Sequence, residues 1–210
     1  MYTPVSQIPG IEMILHGSGQ FAIKNLEAPI EIACWQGFAS GEHARLNIGG
    51  DMVGEPAVSP SHIDAYNYLM EFQESIRNNM LEALLAEYPR LQFNYRYNEE
   101  DAAALMPDLH SAEDLKKLIG LSAVHLLNMS KDGIAYVGYE FECSWDEEHG
   151  LGIMTHKDSI ISIGEGSTAF LTWQAGKDRN PHDYSFDSIL KAIEEREEAP
   201  IPKKPWWKFW

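Results

Sequence analysis

Three residues in the stretch CSWDEEHGLG could do chemistry. Glu147 and Glu148 are adjacent carboxylates, and the imidazole of His149 follows them directly. Such a group could transfer protons, bind a divalent metal, or offer negative charge to a protein partner. His156 is the obvious extra ligand, but a strand with a rise of about 3.3 Å per residue would hold it roughly 20 Å from His149. A metal shared by the two histidines is therefore excluded, and Glu147, Glu148 and His149 are candidate binding residues.

The residues around this triplet predict a β-hairpin. Asp146 favours the start of a turn because its carboxylate bonds to backbone N–H groups, and Gly150 tolerates positive φ. The strand before the turn alternates, which places its large side chains on one face. That face carries Val137, Tyr139, Phe141, Cys143 and Trp145. We therefore expect a hairpin tip whose supporting strand buries this face in the core.

A second candidate cluster lies on the opposite face of the same strands. In the expected register, His125 lies opposite Gly138, and Glu140 lies opposite His156. The two imidazoles and the carboxylate would then gather around Gly138. Because glycine has no side chain, an open floor, meaning unoccupied space above the strand, would remain between them. Such a patch suits a divalent metal or acid–base chemistry. The alternative is that both histidines are ordinary hydrogen-bonded surface residues.

This second cluster depends on how the strands pair at two turns. The turn SKDG is expected to pair Met129 with Ile134, and the turn DEEHG is expected to pair Trp145 with Leu151. A slip of one residue would move the side chains to the other face and scatter the cluster.

Motifs of the common enzyme classes are missing from the sequence. It contains no nucleophile elbow, phosphate loop or dinucleotide fingerprint, and neither His-Glu-x-x-His nor Cys-x-x-Cys. We therefore assign no catalytic residue and no cofactor, and we favour a binding function over an enzymatic one.

The composition indicates a protein with a strongly acidic surface. A formal net charge of −16 repels polyphosphate, so nucleic-acid binding is not expected. The same charge attracts basic partners, although acidity for solubility alone would give the same composition. The first residues lack a secretory signal, and Cys34 and Cys143 lie in apolar runs typical of buried thiols. These features favour a cytoplasmic protein.

The elements that would position these residues form an α+β fold. Four short strands are expected near the N-terminus, in IEMIL, QFAIKNL, PIEIACW and ARLNI. A long amphipathic helix follows, with Ser61 as its cap, Asp64 at the third position and Pro89 as its stop. LQFNYRYNEE is expected to be extended, and SAEDLKKLIG to be a short helix capped by Ser111. The remaining strands are predicted to form an antiparallel β-meander packed on the long helix.

Three segments are predicted along the chain. Residues 1–172 form a single α+β domain, and residues 173–199 comprise the polar loop QAGKDRNPHD and the short amphipathic helix YSFDSILKAIEEREE. Residues 200–210 are a tail rich in Pro, Lys and Trp. Its candidate binding residues are Trp206, Trp207, Phe209 and Trp210. The tail could pack on its own domain, anchor a protein partner, or contact a membrane surface.

The core YEFECSWDEEHGLGIMTHKDSIISIG resembles a pattern found in small uncharacterised bacterial domains. In that pattern a tryptophan precedes Asp-Glu-Glu-His-Gly-Leu-Gly, and a His-Lys turn and an Ile/Val-rich strand follow. The earlier strand PIEIACW and the long helix fit the same order, so the resemblance covers roughly residues 20–172. It implies no established activity, but some relatives look like immunity proteins, which neutralise a bacterial toxin by binding it.

Two functional hypotheses follow. The first is a non-enzymatic cytoplasmic domain that binds a protein partner, as an immunity-type inhibitor of a basic toxin would, with Glu147 and Glu148 as contacts. The second is a metal-assisted or acid–base enzyme that uses His125, Glu140 and His156. Neither hypothesis fixes an oligomeric state.

Overall fold

The computed structural model describes residues 8–11, 13–15, 21–23, 27–39, 44–49 and 58–184. Two sequence predictions fall outside these ranges. One is the amphipathic helix in YSFDSILKAIEEREE, of which only the first residue is described. The other is the tail, with its aromatic residues Trp206, Trp207, Phe209 and Trp210.

The described strands form a two-stranded hairpin and a six-stranded sheet. The hairpin consists of β1 (Met13–Leu15) and β2 (Phe21–Ile23). The sheet has the order β3-β4-β5-β6-β7-β8. Its strands are β3 (Glu27–Ile30), β4 (Ala44–Gly49), β5 (Ile119–Lys131), β6 (Ile134–Cys143), β7 (Leu151–His156) and β8 (Ser159–Glu165). Neighbouring strands of the sheet are antiparallel except β4 and β5, which are parallel.

The connection between the parallel strands β4 and β5 contains the long helix. The α-helices are α1 (Pro60–Tyr95), α2 (Glu99–Leu105) and α3 (Thr172–Arg179). Short 3₁₀ turns lie at Ala33–Trp35, Ala112–Lys117, Gly166–Ala169 and Pro181–Tyr184. A parallel pair needs such a crossover, and α1 buries its apolar side against one face of the sheet. The predicted α+β fold, with a meander, a long helix and N-terminal strands, is confirmed.

The long helix begins two residues earlier than predicted. Ser59, not Ser61, is its N-cap. The backbone N–H of Ser59 donates to Nδ1 of His62 at 3.1 Å, so His62 rather than Asp64 completes a capping box. The other ring nitrogen of His62 lies 3.0 Å from the carbonyl oxygen of Leu127, which ties the start of α1 to β5.

The helix also continues past Pro89, where it was predicted to stop. Proline removes one backbone hydrogen bond and costs about 3 kcal/mol inside a helix. Packing offsets that cost, because Tyr88 and Leu91 on either side of the proline are buried in the core. The segment predicted to be extended is therefore helical up to Tyr95, and Arg96 ends α1 with a left-handed φ of 50°.

The middle of α1 is kinked at Phe72, where φ is −111° and ψ is 18°. The 3₁₀ turn that follows β3 meets the kink. The Cys34 thiol donates to the carbonyl of Gln73 at 3.3 Å, and Arg77 donates to the carbonyl of Cys34 at 3.1 Å. PIEIACW was predicted to be a strand throughout, but its end forms this turn because its backbone is bonded to the kinked helix.

The predicted core face of β6 is confirmed. All five of its large residues are buried: Val137, Tyr139, Phe141, Cys143 and Trp145. Both cysteines of the chain are buried and free. The helices within the described ranges include none that is long and apolar enough to cross a membrane.

A third layer covers the second face of the sheet. Ala175 of α3 packs against Leu127, Tyr136 and Met154 in a small buried cluster. QAGKDRNPHD was predicted to be a polar loop, but its first residues are helical. The reason is tertiary: Ala175 and Gly176 are buried against the sheet, which a propensity argument does not foresee.

The Gly166–Ala169 turn approaches the strands where they carry glycine. A Cβ on Gly138 would lie 1.5 Å from the carbonyl oxygen of Ala169. A Cβ on Gly152 would lie 2.5 Å from the carbonyl oxygen of Glu165. The open floor predicted at Gly138 is therefore filled by backbone.

Candidate functional site

The stretch CSWDEEHGLG spans the turn between β6 and β7, as predicted. The N–H of Gly150 donates to the carbonyl of Asp146 at 2.9 Å, and Gly150 has a φ of 67°. The Asp146 carboxylate accepts the backbone N–H of His149 at 2.9 Å. Both residues therefore have the turn-forming roles expected of them. Glu147, Glu148 and His149 are exposed at the tip of this hairpin.

Two tyrosines at the end of α1 hold the tip in place. The Tyr95 hydroxyl donates to Oδ2 of Asp146 at 2.7 Å, and the Tyr97 hydroxyl donates to the carbonyl of Trp145 at 2.6 Å. Their rings stack with centroids 5.9 Å apart. Neither residue was predicted as part of the site, because LQFNYRYNEE was expected to be an extended segment. The signal available was a Tyr-x-Tyr pair at the end of an apolar helical stripe.

His149 has a structural role that the sequence did not indicate. Its Nδ1 lies 3.1 Å from Oδ1 of Asp146. That hydrogen bond raises the pKa of His149 above its ordinary value, and the nearby charges of Asp146, Glu148 and Glu165 raise it further. Burial raises the pKa of Asp146, but hydrogen bonds from the His149 N–H, from Tyr95 and from the His149 ring outweigh it and keep that pKa below its usual range. The carboxylate is thus ionised and fully engaged in holding the tip.

Exposed carboxylates lie at the tip and on the helix α2. The first turn of α2 carries Glu99, Glu100 and Asp101, all exposed, and the hairpin adds Glu147 and Glu148. We call these five residues the acidic tip. Both ends of α2 are held next to the hairpin: α2 starts two residues after Tyr97, and the Ser144 hydroxyl donates to the carbonyl of Leu105 at 2.7 Å. The acidic tip therefore comprises exposed carboxylates on two elements that these hydrogen bonds link.

A cleft of about 720 Å³ opens beside the acidic tip. It lies between the end of α1, the hairpin tip, the end of β8 and the start of α3. Its lining includes Arg90, Tyr95, Asp146, His149 and Glu165. The cleft therefore shares Asp146 and His149 with the tip and extends that surface inward.

The structure brings together two of the three residues of the second candidate cluster. His125 lies opposite Gly138, as predicted, and its Nε2 is 3.1 Å from Oε2 of Glu140. Asn47 on β4 places its side-chain nitrogen 3.4 Å from the other ring nitrogen of His125. The hydrogen bond from His125 lowers the pKa of Glu140, and burial opposes that shift only in part. The Phe170 ring lies 5.3 Å from the His125 ring and helps to cover it.

His156 does not join this pair. Its Nε2 donates to the carbonyl of Lys131 at 2.9 Å, and its ring lies 4.9 Å from that of Tyr136. Glu140 lies opposite Gly152 rather than His156, so the predicted pairing of Trp145 with Leu151 is wrong. The hairpin loop between β6 and β7 is longer than expected, because Trp145 and Asp146 already belong to the turn that Tyr95 and Tyr97 hold.

The other predicted pairing, of Met129 with Ile134, is also wrong. Lys131 pairs with Ile134 across a two-residue turn in which Asp132 and Gly133 have positive φ, a geometry that hairpins favour. An irregularity between Leu126 and Ser130 then restores the register that places His125 opposite Gly138. Within the residues that the structure describes, no group of three or more His, Cys, Asp or Glu side chains could hold a metal ion.

Comparison with known proteins places the chain in a family without giving it an activity. Neither a curated protein nor a solved structure matches it. A family described as a domain of unknown function (DUF6985) matches residues 23–170, which is more than half of the chain. The match includes the long helix, the meander and the hairpin tip. The chain therefore belongs to the DUF6985 family of domains of unknown function.

Proposed function

We propose that this protein is a non-enzymatic, cytoplasmic bacterial domain that binds a basic protein partner through the acidic tip. In the most specific form of the proposal, the partner is a toxin and the domain is its immunity-type inhibitor. Such an inhibitor acts by stoichiometric capture, so it needs a complementary surface and no turnover.

The observation that carries the proposal is the construction of the acidic tip. Five exposed carboxylates lie on α2 and the β6–β7 hairpin, which hydrogen bonds from Tyr97 and Ser144 hold together. Exposed acids on separate flexible loops would lose entropy on binding, whereas this surface is already arranged. A surface rich in carboxylates on linked elements suits recognition of a partner with the opposite charge.

The charge of the whole chain supports the same proposal. A net charge of −16 produces a long-range field that attracts cationic proteins and raises their association rate. The resemblance of the WDEEHGLG hairpin to that of immunity-like bacterial domains is consistent with this use.

The first experiment is affinity capture from native lysate with the full chain and with a chain that ends at Pro200, followed by identification of the captured protein. The proposal expects a basic protein held with 1:1 stoichiometry and inhibited when bound. A partner held by both chains assigns binding to the domain. A partner held only by the full chain would make the aromatic tail the anchor and overturn the role of the acidic tip.

The decisive variant reverses charge at the tip. Glu147→Lys combined with Glu148→Lys should slow association with the captured partner at least about tenfold at low salt, and should weaken its salt dependence. The matched control reverses two exposed acids elsewhere, Glu82 on α1 and Asp158 in the β7–β8 turn, which changes the net charge equally. Equal effects of both pairs would show that net charge, not the tip, drives binding.

An acid–base function at His125 and Glu140 is the second candidate, because the two side chains form a 3.1 Å contact. The metal-assisted version, for which the described residues offer only this two-residue pair, predicts a divalent metal after native purification and a rise in Tm when zinc is added. Both effects should disappear in His125→Ala. A metal-free protein whose Tm does not change with zinc would end the metal-assisted version.

A further inference from the structure

The cleft beside the acidic tip carries a more specific inference, which rests on the proposed function. We propose that this cleft receives an arginine side chain of the basic partner, with the Glu165 carboxylate as its ion-pair acceptor. The acidic tip would then attract the partner, and the cleft would fix its orientation.

The charges around the cleft support a cationic occupant. Asp146 and Glu165 line it, and Glu148 lies at the neighbouring tip. Burial is the largest cause of the raised pKa of Tyr95, and the negative charges of Asp146 and Glu165 add to it. The charge of Glu165 also contributes to the raised pKa of His149. The negative charge of Glu165 therefore affects both Tyr95 and His149, and all three residues line the cleft.

The positive groups of the cleft are already paired. Arg90 is bonded to Glu87, its neighbour on α1, and His149 is bonded to Asp146. Among the described residues, Glu165 takes part in no ion pair. It is exposed, and it stands where β8 ends. An incoming cation would thus find one carboxylate available to it.

The shape and chemistry of the cleft favour arginine over lysine. Its walls include the aromatic ring of Tyr95 and the apolar side chains of Leu91 and Leu171. A guanidinium is less strongly hydrated than an ammonium and stacks on aromatic rings, and its aliphatic stem can cover apolar surface. A volume of about 720 Å³ accommodates an arginine together with part of the backbone that carries it.

The test uses the full chain labelled with ¹⁵N and the short peptide acetyl-Gly-Arg-Gly-amide. Titration should shift the amide signals of Glu165, Ser167 and His149, and the same peptide with citrulline, which has no charge, should bind at least about threefold more weakly. Glu165→Gln should lower the affinity for the arginine peptide roughly two- to fivefold, the range expected for a partly exposed ion pair.

Two variants control this test. Glu142→Gln removes an exposed carboxylate near the same end of the sheet that lines a different cavity, and it should leave peptide binding unchanged. Ser167→Phe fills the cleft without changing charge, and it should abolish the peptide-induced shifts while circular dichroism stays native. Equal binding of the arginine and citrulline peptides, or unchanged binding in Glu165→Gln, would overturn the inference.

The outcomes also separate this inference from the proposed function. If binding of the captured partner depends on Glu147 and Glu148 but does not change in Glu165→Gln, the proposed function holds and the inferred role of the cleft is wrong. If peptide binding depends on Glu165 but the chain captures no basic protein, the inferred role of the cleft is supported and the proposed function is wrong.

Discussion

The carbonyl oxygen of Ala169 lies 1.5 Å from the point where a Cβ on Gly138 would stand. The turn that carries Ala169 thus packs directly on the backbone of β6. Gly152 on β7 is approached in the same way. These two glycines allow a third layer to pack closely on the sheet, and that layer contributes Ser167 and Leu171 to the cleft. Their lack of side chains is therefore a condition for the candidate site.

Gly138→Ala is expected to destabilise the protein by about 3 kcal/mol or more, because the obstacle is backbone and overpacking of this kind costs about 1–3 kcal/mol even where side chains can move. The measurement is urea unfolding followed by circular dichroism. Gly164→Ala is the matched control, since its Cβ would meet the Thr168 hydroxyl at 2.6 Å, which is a side-chain rather than a backbone atom. If Gly138→Ala lowers the free energy of unfolding no more than Gly164→Ala does, this account of the packing is wrong.

Tyr95→Phe should lower the free energy of unfolding by about 1.5–3 kcal/mol, the usual value of a hydrogen bond to a charged group. The variant removes the 2.7 Å bond to the Asp146 carboxylate while keeping the stacked ring. Tyr97→Phe removes a bond to the neutral carbonyl of Trp145, so its cost should be about 0.5–1.5 kcal/mol. Chemical denaturation of both variants checks which substitution lowers the free energy of unfolding more. A larger decrease for Tyr97→Phe than for Tyr95→Phe would contradict the prediction.

Local patterns predicted the fold well where tertiary contacts agreed with them. The alternation from Val137 to Trp145 identified a buried face, and the residues of the tip identified a turn. Pro89 misled the helix prediction because a local rule about proline was outweighed by burial of Tyr88 and Leu91, which only the packed fold reveals.

The candidate site was predicted less completely than the fold. The turn-forming residue types identified Asp146 and Gly150. The register of β7 could not be deduced from the sequence of the loop, so Glu140 was predicted to pair with His156 instead of Gly152. Glu165 and Tyr95 escaped notice because they lie far from the tip in sequence. A cleft formed where four elements meet leaves no short motif in the chain.

The two cysteine thiols are expected to resist modification in the native protein. Burial raises the pKa of Cys34 to about 11 and that of Cys143 to about 12. The reactive species is the thiolate, which is scarce at pH 8 under these conditions. Reaction with a disulfide reagent such as DTNB should be slow in buffer and should reach two thiols per chain in denaturant. Fast labelling of the native protein would show that one of the two sites opens readily.

The ring of His149 should titrate above its ordinary pKa of 6.5, because the hydrogen bond and the charge of Asp146 favour the protonated form. A raised pKa in the folded state stabilises the tip below pH 6.5, and that contribution is lost as the pH rises through the folded value. The pKa of Asp146 is lowered, so its contribution is present above the ordinary value of 3.8 and is lost as the pH falls through its folded value. The tip should therefore be most strongly held at mildly acidic pH, between these two titrations.

The check is an NMR titration of the His149 ring protons together with amide exchange at the tip. In Asp146→Asn the midpoint of His149 should fall towards 6.5, because the charge is removed while a turn-forming side chain remains. Glu147→Gln is the control, since Glu147 is exposed and is not among the groups that shift His149. An unchanged midpoint in Asp146→Asn would mean that Asp146 does not raise the pKa of His149. The contact between these two side chains would then not explain how the tip is held.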